Sequence, residues 1–234
     1  MPATPLKGRN VVIGGGAKNL GGLISRNLAA EGANIAVHYN SDRTQADAEA
    51  TVAAIKKAGA NAFAIQGDLG RVSEVVRLFD AAVQHFGSVD IAINTVGKVL
   101  KKPLVETTEA EYDEMFAVNT KAAYFFIQEA GKRLNDNGKI ITIVTSLLAA
   151  FTGLYSTYAG SKAAVEHFTR AAAKEFGRRG ISVNNIAPGP MDTPFFFPAE
   201  TDDSTAYHKS QSMNGELTKV EDIVPIVKFL ATDG

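Results

Sequence analysis

Six short runs rich in β-branched residues alternate along this chain with longer stretches whose apolar residues recur at helical spacing. The runs are Asn10 to Ile13, Asn34 to Tyr39, Ala62 to Gln66, Val89 to Asn94, Lys139 to Thr145 and Ile181 to Ile186. Strand and helix in strict alternation give βαβ units, in which the strands lie parallel and each helix crosses over the sheet. Runs such as KIITIVT are apolar almost without interruption. A sheet with one wet face would alternate polar and apolar residues, so helices are expected on both faces. The expected fold is α/β, a doubly wound parallel sheet.

The 234 residues, 45% of them hydrophobic, suffice for one buried core. No repeat, low-complexity tract or linker divides the chain, so a single domain over residues 1–234 is expected. The stretch from Pro188 to Gly215, where Pro, Phe, Asp and Ser cluster, is expected to be a long mobile loop over a binding site.

Composition removes several function classes. The formal charge is -1 with both signs interspersed, which argues against nucleic acid or a membrane surface as partner. There is no cysteine to build a disulfide or thiolate site, and His38, His85, His167 and His208 are not closely paired in sequence, so no metal is expected. The N-terminal segment MPATPLKGRNVVIGGG lacks the apolar run of a signal peptide, and no later run approaches a membrane span. A soluble cytoplasmic protein is expected.

The first strand runs directly into GGGAKNLGGLISRNLAAEG, a glycine-rich turn that opens the first helix. Gly15 and Gly21 allow close backbone approach, and the free N–H groups at a helix N-terminus attract an anion, so this turn is where a dinucleotide pyrophosphate would lie. The fold is accordingly read as Rossmann-type, a combined dinucleotide-binding and catalytic domain.

Tyr158 and Lys162 stand four residues apart in STYAGSKAAVEHFTRAAAKEFG, a segment of helical periodicity, so both side chains are expected on one helix face. Of six tyrosines only Tyr158 has a lysine at this spacing. A phenol titrates near 10, and a cation held close would bring it toward working range as a proton donor or acceptor.

Taken together these features resemble the short-chain dehydrogenase/reductase family over nearly the whole chain. The family's opening motif, TGxxxGxG, maps onto Gly14 to Gly21, with Asn19 in place of the middle glycine, a departure asparagine tolerates because it adopts positive φ more readily than other residues with a side chain. The resemblance implies cofactor contacts at Gly15, Lys18, Asn19, Leu20 and Gly21. It implies further contacts at Asp68 and Leu69 in GDLG, at Asn94, Val96 and Gly97 in NTVG, and at Pro188, Gly189, Met191 and Thr193 in PGPMDT, the loop closing over the nicotinamide. It also implies an oxidoreductase that interconverts a carbonyl and an alcohol, assembled as a homodimer or homotetramer. Tyr158 would be the general acid and base. Lys162 would lower its pKa and hold the nicotinamide ribose, and Asn119, in MFAVNTKAAYFF, would extend a proton relay through water. A regulator of the same fold that senses NADPH without turnover is the alternative, and it would be expected to lack Tyr158 or Lys162.

NAD enzymes of this architecture often carry an acidic residue at the end of the second strand. Tyr39 stands there, followed by Asn40, Ser41, Asp42 and Arg43. With no carboxylate to repel a 2′-phosphate, and Lys18 and Arg43 to attract it, NADP is the expected cofactor and NAD the less favoured one; Asp42 is the residue that argues the other way.

A hydroxyl should hold the substrate oxygen, and two compete. Thr145 lies thirteen residues before Tyr158, the commonest spacing in the family, while Ser146 has the usual residue type. Ser146 is preferred on type, with Thr145 next. Phe151, Leu154, Tyr155, Phe195, Phe196, Phe197 and Met213 fall where a substrate cavity would be lined, with Phe151 and Phe195 also strong candidates for core packing, so a small apolar or aromatic carbonyl or alcohol is expected. The chain stops at VKFLATDG, before the last strand usual in the family, which leaves an exposed sheet edge as the expectation.

Overall fold

The computed structural model describes residues 5–150 and 152–232. Six strands, β1 (Asn10–Gly14), β2 (Asn34–Tyr39), β3 (Ala62–Gln66), β4 (Val89–Asn94), β5 (Leu134–Ile143) and β6 (Ser182–Ile186), form one sheet in the order β3-β2-β1-β4-β5-β6. Every pairing is parallel. Strand β6 is the edge on the far side from β3.

Alternation along each strand divides the core in two. Val11 and Ile13 face one side, with Leu20, Ile24 and Leu28 of α1 (Asn19–Ala30), Ile55 of α2 (Gln45–Lys57) and Val227 of α8 (Val220–Ala231). Val12 faces the other, with Leu78 and Phe79 of α3 (Val72–Phe86), Phe126 of α5 (Ala122–Arg133) and Ala172 of α6 (Ser156–Phe176). The Phe79 and Phe126 rings meet edge to face at 5.0 Å, an arrangement aromatic pairs favour. Burial on both faces accounts for the apolar strands.

Two elements depart from the sequence expectation. Strand β5 begins at Leu134 and ends at Ile143, where Lys139 to Thr145 was expected. Leu134 pairs with Val89 across a register shift, and the exposed Asn135, Asp136 and Asn137 conceal that beginning in a run of turn-forming residues. The stretch from Pro188 to Gly215 is not wholly irregular: α7 spans Asp202–Ser210. Thr201 caps it reciprocally with Ser204, and Asp202 and Asp203 occupy its first turn, where acidic residues favour a helix. Between α4 (Glu109–Met115) and α5, residues Phe116–Lys121 form a π-helical turn, which takes in one more residue per hydrogen-bonded turn than an α-helix and carries the buried Asn119. Among the described residues no helix is long and apolar enough to cross a membrane.

Candidate active site

The strand order reverses between β1 and β4, and a crevice opens at the carboxyl ends of these strands, as this topology requires. Thr95 stitches its two walls, donating its N–H (2.9 Å) and its hydroxyl (2.8 Å) to the Gly14 carbonyl. Above it Gly15 has φ +75 and Asn19 has φ +48, the left-handed conformation expected of the asparagine. A Cβ at Gly21 would lie 2.1 Å from the Gly15 carbonyl oxygen, so only glycine lets the helix start this close to the turn. Lys18, at the N-cap of α1, accepts no side-chain hydrogen bond, and the first turn opens onto the crevice.

His38 underlies this turn. Its Nδ1 accepts the Gly15 N–H at 3.0 Å and its Nε2 lies 2.7 Å from the Gly67 carbonyl oxygen, a pair of contacts that selects the neutral ring protonated on Nε2. Burial lowers its pKa from 6.5 to about 4, opposed in part by the hydrogen bond to Gly67.

A cavity of about 1090 Å³ runs along the crevice. At one end it is lined by Lys18, Leu20, Tyr39, Asn40, Asp68 and Leu69, all singled out from the sequence, together with Thr44 and Arg71, which were not. Ser41 and Arg43 do not line it, and Arg43 is exposed. The short 3-10 turn at Asp42–Thr44 carries these side chains past the strand end. Asp42 also stays off the cavity, accepting a hydrogen bond from Gln66 at 2.9 Å. Lys18 pairs with Asp47 at 3.6 Å. Asn94, expected at a cofactor, instead turns its side chain to the Val96 N–H at 3.0 Å and shapes the end of β4. Val96 and Gly97 beyond it line the cavity.

Tyr158 and Lys162 project from one face of α6 into the middle of the cavity, both buried. Lys162 Nζ donates to the Ile143 carbonyl at 3.0 Å. Burial alone lowers its pKa from 10.5 to about 8. The Tyr158 phenol is pushed up by burial, and the Thr145 hydroxyl facing it offsets part of the rise. The expectation that Lys162 depresses Tyr158 is therefore not met here: the amine is turned to the end of β5, and the dominant influence on the phenol is loss of water.

Because β5 ends at Ile143, Thr145 and Ser146 are not bound to opposite faces of a strand, and both line the cavity. It is Thr145 that faces Tyr158, while Ser146 gives its backbone N–H to the Pro188 carbonyl at 2.9 Å. Thr145, and not the Ser146 preferred by residue type, is thus the hydroxyl that faces the phenol. Asn119 is buried beside them but does not line the cavity. Its Oδ1 accepts the Lys98 N–H at 2.8 Å, and its Nδ2 donates to the Lys98 carbonyl at 2.8 Å and to Ser161 Oγ at 3.0 Å. A Cβ at Gly97 would lie 3.2 Å from Lys162 Nζ and 3.3 Å from Asn119 Oδ1, so Gly97 is the small residue that lets these two groups approach.

The far end is closed by Pro188, Gly189, Met191 and Thr193 and by the segment carrying α7. Tyr155, Phe195 and Phe196 line it, so Phe195 is a cavity residue and not core packing. Leu154, Phe197 and Met213 are exposed and do not line it, and Phe151 lies outside the described residues. Glu200, Tyr207 and His208 also reach this end, making it more polar than the aromatic residues of the sequence suggested. His38, Thr44, Arg71, Glu200 and His208 carry no motif; only His38, an imidazole inside an otherwise apolar strand, offered a signal.

Comparison with known proteins agrees with this geometry. The sequence family described as Enoyl-(Acyl carrier protein) reductase matches residues 15–234. The chain is 40% identical over 205 residues to the hydroxynaphthalene reductase-like protein Arp2 of Metarhizium brunneum, covering 87% of this chain and 73% of that protein. It is 35% identical to a short-chain type dehydrogenase/reductase of Picea abies, covering 97% of this chain and 87% of the other. A Burkholderia cenocepacia protein described as a dehydrogenase, solved with NADP bound, superposes with a TM-score of 0.94 at 59% identity, over 100% of this chain and 90% of that one.

Proposed function

The chain belongs to the short-chain dehydrogenase/reductase family, and on that premise we propose that it is an NADP(H)-dependent oxidoreductase interconverting a carbonyl and an alcohol, with Tyr158 as the proton donor and acceptor. The observation that carries this reading is the placement of Tyr158, buried in the cavity wall with Thr145 before its phenol and Lys162 one helical turn on.

The crevice suits the dinucleotide. Its glycine turn brings backbone N–H groups to an uncapped helix start, where a pyrophosphate is favoured. The cavity continues without a break from Tyr39 to Tyr158. No carboxylate follows β2 on the cavity side, and Lys18 and Arg71 supply positive charge there, which favours the phosphorylated form. The NADP carried by the Burkholderia relative supports the same choice. When bound, the nicotinamide supplies or takes up the hydride.

The protein's own task is the proton. A buried phenol pushed upward keeps its proton at neutral pH, the state a donor to a carbonyl oxygen needs. Thr145 would hold that oxygen and donate to it as charge develops. Lys162, made easier to deprotonate by burial, would hold the ribose and return a proton to Tyr158. Asn119 would act indirectly, fixing the Lys98 peptide and Ser161, whose hydroxyl donates to the Tyr158 carbonyl at 2.7 Å. The substrate would be a compact carbonyl compound with an aromatic or apolar body, seated between Tyr155, Phe195 and Phe196. A screen of aromatic and aliphatic ketones following NADPH absorbance tests the proposal, with the Tyr158→Phe variant as control. Turnover by that variant at the parent rate would refute it.

A further inference from the structure

Glu200, just ahead of α7, has a side chain only 1% exposed. Its carboxylate receives Lys101 Nζ at 2.5 Å, Ser204 Oγ at 2.5 Å and the Tyr155 hydroxyl, and His208 Nε2 lies 3.6 Å away. These partners come from different parts of the chain. Lys101 follows β4, Tyr155 immediately precedes α6, and Ser204 and His208 lie on α7. Lys101 Nζ also stands 5.7 Å from the centre of the Tyr155 ring, and that ring lies 6.2 Å from the ring of Tyr158.

Among the described residues, the other hydrogen bonds and ion pairs made between Thr193 and Gly215 stay within residues 191–216. Glu200 is thus the polar tie between the distal half of this segment and the rest of the protein. Burial alone would raise its pKa, but the hydrogen bonds from Lys101, Ser204 and Tyr155 outweigh it and keep the group ionised. Tyr155 is pushed upward by burial and by Glu200, so it remains a donor. A buried carboxylate and ammonium tolerate each other well, but either left alone is costly.

We propose that Glu200 is a positioning residue, a latch that seats the α7 segment as a lid against Lys101 and Tyr155 and so completes the substrate wall beside Tyr158. The proposal rests on the oxidoreductase reading for its consequence in turnover, but not for the latch itself. A protein whose lid is closed only part of the time binds substrate with its intrinsic affinity multiplied by the closed fraction, so opening the lid raises the apparent dissociation constant. The Lys101→Met and Glu200→Gln variants should each raise KM about tenfold or more, the scale of a lost charge-assisted hydrogen bond, while NADPH affinity stays within about twofold. The double variant leaves no unpaired buried charge, so its KM should rise less than the two single effects multiplied together.

The lid itself can be followed with trypsin, because Lys209 is the only lysine or arginine between Pro188 and Gly215. Cleavage after Lys209 should quicken in both single variants and slow again in the double variant, whether or not a substrate has been found. Retained NADPH binding would show that each variant is folded. Multiplicative KM effects, or cleavage rates equal to the parent in both single variants, would overturn the latch. Absence of turnover by the parent protein with faster cleavage in the single variants would instead sink the oxidoreductase reading and leave the latch standing.

Discussion

The Nδ1 atom of His38 accepts the main-chain N–H of Gly15 at 3.0 Å, so one ring on β2 holds the turn that joins β1 to α1. Protonation would put a second N–H where an acceptor is needed, and the bond would be lost. Burial of the ring favours its neutral form and lowers the pKa from 6.5 to about 4, and it is this neutral form that can accept at Nδ1.

The sign of the resulting pH dependence follows. Between about pH 4 and 6.5 the unfolded chain binds the proton more readily than the folded one, so stability falls as pH falls through this window and is level above it. The fall from 6.5 to about 4 corresponds to about 3.5 kcal/mol, at about 1.4 kcal/mol for each tenfold change in proton affinity. Urea unfolding at a series of pH values should show this step, and the His38→Asn variant should lack most of it. NADPH binding at neutral pH should also weaken in that variant, because the glycine turn loses its support. An unchanged pH profile in the variant would remove His38 from this role.

Tyr158→Phe should abolish carbonyl reduction and leave NADPH affinity nearly intact, since only the hydroxyl is removed from a wall that is otherwise aromatic. Lys162→Ala should impair both, because its ammonium is buried between the end of β5 and Gly97 at the centre of the cavity. Steady-state kinetics beside a fluorescence titration with NADPH separates the two effects.

Thr145→Ala should lower kcat/KM by about ten- to a thousand-fold, the range for removing one hydrogen bond at a developing charge. Ser146→Ala should cost much less. A larger loss at Ser146 would restore the residue-type preference and require the phenol to be served from the other hydroxyl.

Tyr39→Asp should shift cofactor preference from NADPH toward NADH. A carboxylate at this cavity-lining position repels a 2′-phosphate and accepts hydrogen bonds from free ribose hydroxyls. In the unaltered protein NADPH should bind more tightly than NADH, with the margin narrowing as salt screens the phosphate. Tighter NADH binding at low salt would turn attention to Asp42, which Gln66 now holds at the end of β3.

The strands, the parallel doubly wound order, the glycine turn and the Tyr158–Lys162 pair were legible in the chain because each depends on spacing within a few residues. Period-two burial marks a strand, and a four-residue interval places two side chains on one helix face. Asn19 belongs with these, since its positive φ is a local property of the residue. Between Thr145 and Ser146 the residue type favoured Ser146, but that Thr145 faces the phenol depends on where β5 ends, at Ile143, and on how α6 packs against that end. Ser41, Arg43 and Asn94, expected at a ligand from their neighbours, do not line the cavity, the first two following β2 into a 3-10 turn and the third accepting the Val96 N–H. His38 meets Gly15 and Gly67 only once β1, β2 and the end of β3 lie side by side, and Glu200 reaches Lys101 across a sequence separation of 99. Local periodicity fixes which face a residue takes; which partner waits on that face is decided by the packing of elements far apart along the chain.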